Sequence, residues 1–192
     1  SQLKQTYQPN EQIVGISTKC PAWDWVIRGN RVRNAGTGVY LGDSDGSAPF
    51  IGGLIEGNRV VGSMGYALQI KHQTRRPDGL GLPRAPRDTV IRYNMLAKDA
   101  GSATGSMARP NLLVGHFPAE GPGARDRYLI HGNYLVNNPT EALFQGEGRL
   151  AFYNNVLINP AGPGAVVQPH KGIPRAVWLF HNTVVTHHAG IT

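Results

Sequence analysis

The amino-acid sequence predicts an all-β fold, a right-handed parallel β-helix of about six coils that forms a single domain over residues 1–192. Three observations predict it: a short apolar segment ending in asparagine occurs six times, a second strand-like stretch lies between consecutive copies, and only 16% of the residues are charged. Such a repeat, at intervals of roughly 20 to 40 residues, is typical of solenoids whose coils stack short strands into parallel sheets. These coils could belong to a longer solenoid, because the chain opens without an evident cap.

The predicted bends lie at the final asparagines of six copies, VIRGN, LIEGN, VIRYN, LIHGN, AFYNN and WLFHN, namely Asn30, Asn58, Asn94, Asn133, Asn155 and Asn182. Asparagine suits a bend because it tolerates left-handed backbone conformations, and stacked amides can hydrogen-bond from one coil to the next. The alternation around it predicts one buried column of Ile27, Ile55, Ile91 and Ile130. A leucine-rich repeat or a propeller fits less well, because the chain lacks a leucine skeleton and four strands per repeat.

The second strand-like stretch of each unit places polar residues in rows. The stretches are TGVYLGDS, YALQIKHQ, PNLLVGHF, EALFQGEG and GAVVQPHK, and their apolar cores align Val39, Ala67, Leu112, Ala142 and Ala165 in one column. Because neighbouring coils lie ~4.8 Å apart, this register predicts that Asp43, Lys71 and His116 are close neighbours in a polar row. The residues expected beside that row include His72, Glu147 and His170.

Two long insertions, at 72–88 and 98–110, are rich in proline, glycine and arginine. They are predicted to be loops that leave the helix near the polar row and form the walls of a groove. Guanidinium groups suit carboxylates and sulfates, so Arg75, Arg76 and Arg109 are predicted to hold an acidic sugar chain. Solubilising loop charges are the alternative interpretation of these arginines.

The formal charge of +7 and the pI near 9.9 favour an anionic partner, which could be a nucleic acid, a membrane surface or an acidic polysaccharide. The loop cations are not interleaved with aromatic residues, which disfavours nucleic acid, and no apolar run approaches the ~18 residues of a membrane span. Cys20 is the single cysteine, which excludes an intramolecular disulfide. We therefore expect a secreted or periplasmic monomer that binds an acidic polysaccharide, although the opening SQLKQTYQPN shows no signal-peptide pattern.

Lys71 and His116 are the predicted acid–base residues. A lysine acts as a general base only where burial or neighbouring cations lower its pKa, and a histidine can donate a proton at neutral pH. The alternatives are a solvated surface lysine and a hydrogen-bonded histidine at a strand end. For hydrolysis by paired carboxylates, Asp43 and Glu147 would be roughly 14 Å apart, which is too far. Hydrolysis by the pair Asp43 and Asp45 remains an alternative, although their segment also fits an ordinary turn.

The segment from Tyr66 to about Asn155 resembles the alginate lyase and chondroitinase B group of β-helix polysaccharide lyases, polysaccharide lyase family 6. The matching pieces are YALQIK, VIRYNML, NLLVGHF, HGNYLVNN and FYNNVLIN. The resemblance implies that Lys71 is the base that abstracts the proton next to a uronate carboxylate and that His116 stands in place of the family's acid, an arginine. Met64 and Tyr66 stand where the family has two calcium-binding glutamates. We therefore expect no cofactor, since calcium would lack its acidic ligands, and loop arginines would stabilise the enolate-like transition state instead.

These patterns predict a lyase that cleaves a uronate-containing polysaccharide by β-elimination. The predicted substrate-binding residues are Arg75, Arg76, Arg109, His72, Asp43, Glu147 and His170. A non-catalytic carbohydrate-binding or surface-structural β-helix protein is the alternative function. A glycoside hydrolase or a C5-epimerase is the third, since an epimerase shares the proton abstraction and returns the proton to the opposite face.

Overall fold

Short parallel strands wound into coils make up the core of the molecule. The computed structural model describes residues 13–192, and its strands assemble into three six-stranded sheets and one two-stranded sheet. Each of six successive coils contributes one strand to each large sheet, and the neighbouring strands are parallel. This arrangement confirms the predicted parallel β-helix of about six coils.

The three large sheets form the sides of the solenoid. The first sheet contains β1 (Val14–Ser17), β5 (Thr37–Leu41), β9 (Leu68–Ile70), β12 (Leu112–Val114), β15 (Phe144–Gly146) and β18 (Ala165–Val167). The second sheet contains β3 (Val26–Arg28), β7 (Leu54–Glu56), β10 (Asp88–Arg92), β13 (Arg127–His131), β16 (Leu150–Tyr153) and β19 (Val177–Phe180). The third sheet contains β4 (Arg31–Arg33), β8 (Arg59–Val61), β11 (Met95–Ala97), β14 (Tyr134–Val136), β17 (Val156–Asn159) and β20 (Thr183–Thr186).

Smaller elements lie between these sides. The two-stranded sheet pairs β2 (Ala22–Trp23) with β6 (Phe50–Ile51), and a 3-10 turn covers Gly105–Met107. Within residues 13–192, no helix is long and apolar enough to cross a membrane.

Alternation along the strands buries apolar columns that run through the coils. As predicted, the second sheet aligns and buries Ile27, Ile55, Ile91 and Ile130, and the column continues to Phe152 and Leu179. The third sheet supplies a matching column of Val60, Leu96, Leu135 and Leu157. Because fully burying one such side chain contributes about 1.5 to 3 kcal/mol, these columns hold successive coils together.

A ladder of asparagine side chains joins the coils at the bend between the second and third sheets. Its members are Asn30, Asn58, Asn94, Asn133, Asn155 and Asn182. The backbone N–H and the Nδ2 of each of the first five donate to the Oδ1 of the asparagine in the next coil, at 2.9 to 3.0 Å. The left-handed conformation expected of these asparagines belongs instead to the residue before each, such as Gly57 (φ 63°) and Tyr93 (φ 56°). The asparagine amide therefore links neighbouring coils by hydrogen bonds, and the residue before it adopts the left-handed conformation that the turn needs.

The first sheet pairs in a register that differs from the predicted one. Its buried column is Val39, Leu68, Leu112, Phe144 and Ala165, so the prediction was wrong by one residue at Ala67 and by two at Ala142. The one-residue shift changes the face of the sheet and places Leu68, which has more apolar surface than Ala67, in the column. The two-residue shift keeps the same face and places the larger Phe144 there. The change moves Lys71 out of the row that holds Asp43 and His116.

Replacement of an inner ladder residue tests how much the ladder stabilises the fold. In Asn133→Ala, the N–H groups of Asn94 lose their shared acceptor and the carbonyl of Ile91 loses a donor. Because these groups are buried, we expect the free energy of unfolding to fall by about 2 to 4 kcal/mol. Among the contacts within residues 13–192, Asn30→Ala, at the half-buried end of the ladder, removes only donors and should cost less than about 1 kcal/mol. Denaturant unfolding measures both changes, and equal losses would contradict this account.

Candidate functional site

A groove runs over the outer face of the first sheet. Side chains along its strands point alternately inward and outward, which places Gln69, Lys71 and Gln145 on the groove floor. Residues that precede the strands form one wall, including Tyr66 and Arg109. The cavity has a volume of about 890 Å³, and its other polar lining residues are Lys19, Tyr40, Ser44, Glu141, Gln168, His170 and Thr192.

Lys71 lies on the groove floor directly after β9 and is half-buried. Its Nζ is 5.5 Å from the ring centroid of Tyr40, which belongs to the neighbouring coil. Burial lowers the pKa of Lys71, and the nearby charge of Lys171 adds to this effect. Weaker effects on this pKa come from Arg109 and Lys19, which lower it, and from Asp43, which raises it. Lys71 is therefore not a freely solvated lysine, and a neutral amine at this position can accept a proton.

Tyr40 supplies a hydroxyl group beside Lys71. The hydroxyl oxygen lies 2.8 Å from Ser44 Oγ, within hydrogen-bonding distance. Burial raises the pKa of Tyr40, and this outweighs the opposing effect of the Ser44 hydrogen bond. Tyr40 therefore stays protonated at neutral pH and can donate a proton. Sequence reasoning missed Tyr40, because its proximity to Lys71 follows only from the pairing of β5 with β9.

Hydrogen bonds from buried side chains hold the backbone of the groove wall at Arg109. The carbonyl oxygen of Arg109 accepts hydrogen bonds from Lys98 Nζ and from Asn138 Nδ2, the latter at 2.8 Å. Lys98 is 3% exposed, and burial lowers its pKa to about 7, against the opposing charge of Glu141. The Arg109 guanidinium lies 5.9 Å from the centroid of the Tyr66 ring. Sequence reasoning missed Lys98, because its burial depends on how its own loop returns to Arg109.

His116 lies outside the groove, beside His72 rather than Lys71. The two imidazole rings are 5.2 Å apart between centroids. Burial lowers the pKa of His72, and the charge of His116 lowers it further. His116 lines a separate depression of about 550 Å³ together with Arg75, and its Nδ1 is 3.0 Å from the carbonyl oxygen of Phe117. The predicted adjacency of Lys71 and His116 was therefore wrong, because the register of β9 differs by one residue.

Arg76 and Glu147 are buried and do not line the groove. Arg76 is 3% exposed and forms an ion pair with the buried Asp126. Glu147 is 1% exposed, and its Oε1 accepts hydrogen bonds from three consecutive backbone N–H groups that begin at His170. Buried charges need such partners, because their loss of hydration is costly. In place of the predicted contact with a sugar chain, both side chains hold the protein's own loops.

Three further predicted residues lie at the surface. Asp43 accepts a hydrogen bond from the next backbone N–H at 2.7 Å, which supports the turn interpretation of its segment. Arg75 forms an exposed ion pair with Asp78 at 3.1 Å. His170 is exposed and lines the groove. Of the predicted substrate-binding residues, Arg109 and His170 therefore line the groove.

Acidic and metal-ligating side chains are dispersed. Within residues 13–192, no group of three or more histidine, cysteine, aspartate or glutamate side chains could hold a metal ion. Of the two positions where the resemblance implies calcium ligands, Met64 is buried and Tyr66 lines the groove.

Comparisons with protein-family models, with curated proteins and with solved structures found no match to this chain. The proposed function therefore rests on the geometry and the charge of the groove.

The buried amine of Lys98 should make stability depend on pH. Its folded-state pKa is about 7, whereas an unfolded lysine titrates near 10.5, so the unfolded chain binds more protons between these values. The free energy of unfolding should therefore rise as the pH increases from about 7 to about 10, by up to about 5 kcal/mol from this residue.

Denaturant unfolding across this pH range, with Lys98→Met beside the wild type, measures the effect. Lys98→Met has no titratable amine at this position, so its pH slope should be smaller. Lys19→Met, at an exposed lysine, should keep the wild-type slope. Parallel slopes for the wild type and Lys98→Met would contradict the prediction.

Proposed function

We propose that this protein binds a uronate-containing polysaccharide in the groove of the first sheet and cleaves it by β-elimination, with Lys71 as the base. The observation that carries the proposal is the half-buried amine of Lys71, whose pKa is lowered on the floor of a polar groove. Amines with lowered pKa values at clefts are typical of proton-transfer sites.

The polar lining of the groove suits an acidic sugar chain. Cationic side chains, including Arg109 and Lys19, supply charges for uronate carboxylates, and glutamines supply donors and acceptors for sugar hydroxyls. The volume of about 890 Å³ is in the range of small-ligand sites, roughly 300 to 1,000 Å³.

The proposed reaction uses three side chains of the groove. Neutral Lys71 takes the proton from C5 of the uronate, while the guanidinium of Arg109 stabilises the negative charge that develops on the carboxylate. The electron pair of the broken C5–H bond forms the C4–C5 double bond, and the C4–O bond breaks. The leaving oxygen takes a proton from the hydroxyl of Tyr40, which has the role that sequence reasoning assigned to His116. Solvent then returns a proton to Tyr40 and removes one from Lys71.

Hydrolysis by a carboxylate pair has less support. Among the described residues that line the groove, Glu141 has the single acidic side chain. Both hydrolytic geometries need two carboxyl groups across the scissile bond.

A non-catalytic polysaccharide-binding protein is the second candidate. The observation that favours it is the position of His116, the acid expected from the sequence, which lines another depression beside His72. A binding protein needs only the cations and hydrogen-bonding groups of the groove. It would bind polyuronate without forming an unsaturated product.

Ultraviolet absorbance of the unsaturated product separates these two functions. With alginate, pectate, hyaluronan and chondroitin sulfate as substrates, with and without calcium, we expect the wild type to form product from at least one polymer. Lys71→Ala should lower kcat by about 100-fold or more, because it removes the base. Arg31→Ala, which removes an exposed charge from the third sheet, should leave kcat unchanged. Polymer binding by the wild type with no product from any of the four would favour the binding protein.

The pH profile of kcat/KM tests the two proton-transfer groups. Activity should rise as the pH increases through the pKa of Lys71, which lies below its ordinary value of 10.5, because only the neutral amine accepts a proton. It should fall again only above the ordinary tyrosine pKa of 10.0, where Tyr40 loses its proton. Tyr40→Phe should lower the rate and remove the alkaline fall, while Tyr93→Phe at an exposed tyrosine should change neither. An unchanged profile in Tyr40→Phe would rule out Tyr40 as the acid.

A further inference from the structure

A second cluster of cations lies where the chain enters the second sheet, outside the groove. Two adjoining depressions of about 480 and 570 Å³ meet there and share Pro86, Arg125 and Arg149 as lining residues. We call this region the arginine cleft. Its other cationic lining residues are Arg84, Arg87, Arg127 and Arg175.

The strand register brings two of these arginines to the same level of the solenoid. Tyr128 pairs with Leu150, so Arg127 and Arg149, which directly precede them, lie on consecutive coils ~4.8 Å apart. The guanidinium of Arg127 is neutralised by two hydrogen bonds to Asp88, at 2.7 and 2.8 Å. Among the described residues, no carboxylate pairs with the neighbouring Arg149.

The arginines at the rim of the cleft have partners of their own. Arg87 lies 3.7 Å from a carboxylate oxygen of Asp24, and Arg84 lies 3.4 Å from one of Asp78. Arg175 donates to backbone carbonyl oxygens, the nearest at 2.9 Å. Each rim guanidinium therefore has an ion-pair or hydrogen-bond partner within residues 13–192.

Arg125 and Arg149, in the middle of the cleft, have no such partner in the described part of the chain. Neither forms a hydrogen bond or an ion pair through its side chain within residues 13–192, and the Nε of Arg149 is buried without a partner. Two carboxylates line the cleft among the described residues: Asp88, which Arg127 neutralises, and Glu120. The middle of the cleft is therefore positively charged and has an unsatisfied buried donor.

We propose that the arginine cleft binds a tetrahedral oxyanion, a sulfate or phosphate group, between Arg125 and Arg149. Guanidinium forks donate to such oxygens in pairs, and arginine is the residue best suited to this geometry. A bound anion reduces the repulsion between the cations. A sulfate ester on a polysaccharide and a free inorganic anion both supply this chemistry. The site is independent of the proposed lyase activity.

Titration of the full chain with sodium sulfate and sodium phosphate, with sodium chloride keeping the ionic strength constant, tests the site. Calorimetry should report saturable binding to one site, and either ion should raise the unfolding temperature. Arg149→Ala and Arg125→Ala should each weaken binding by about tenfold or more, and Arg149→Lys should weaken it less, because it keeps the charge without the fork. Arg31→Ala, at an exposed arginine on the third sheet, is the matched control and should bind as the wild type does.

Unchanged binding in both alanine variants of the cleft would overturn the proposal, as would a response that follows ionic strength alone. Chondroitin sulfate and its desulfated form then distinguish the two sources. A preference for the sulfated polymer that disappears in Arg149→Ala supports a sulfate ester as the ligand. Binding of the inorganic ions without that preference supports a free anion in the same site. Arg149→Ala should cleave uronate polymers at the wild-type rate. The experiment can therefore contradict the anion site without contradicting the lyase activity, and the reverse.

Discussion

The stacking of asparagine amides from coil to coil is the interaction on which the rest of the structure depends. Each inner amide oxygen accepts two hydrogen bonds from the preceding coil, at 2.9 to 3.0 Å, so this bend sets both the spacing and the register of successive coils. Many of the paired strands are only three residues long and enter their sheets already aligned. The loops elsewhere can vary in length, because the entropy of closing a loop grows slowly with its length.

The register of the first sheet decides the chemistry of the groove. It places Lys71 opposite glycines in both neighbouring coils, Gly42 and Gly115. A Cβ at Gly115 would lie 2.3 Å from the backbone nitrogen of His72, so only glycine fits where the two coils approach here. The floor around Lys71 therefore carries no competing side chain from these two positions, and the amine is left between Tyr40 and the charges of the walls.

Buried charges hold the loops that border the groove and the neighbouring depressions. The Arg76–Asp126 pair anchors one loop, and Glu147 anchors another through three backbone N–H groups. Burial of an ion is costly unless it is paired or hydrogen-bonded, and both of these have such partners. Lys98 differs, because the partner of its amine is the neutral carbonyl of Arg109, and burial accordingly lowers its pKa.

The sequence by itself determined the coils, the buried isoleucine column and the asparagine ladder. These features repeat with large side chains at constant offsets, so each copy supports the same alignment. The tertiary structure decided the register of the first sheet, where the larger Leu68 and Phe144 take the column positions expected for Ala67 and Ala142. It also decided which charges are available to a ligand, because Arg76 meets its carboxylate 50 residues away and Lys98 is covered only by the return of its own loop. Contacts between residues so distant in sequence leave no periodic signal along the chain.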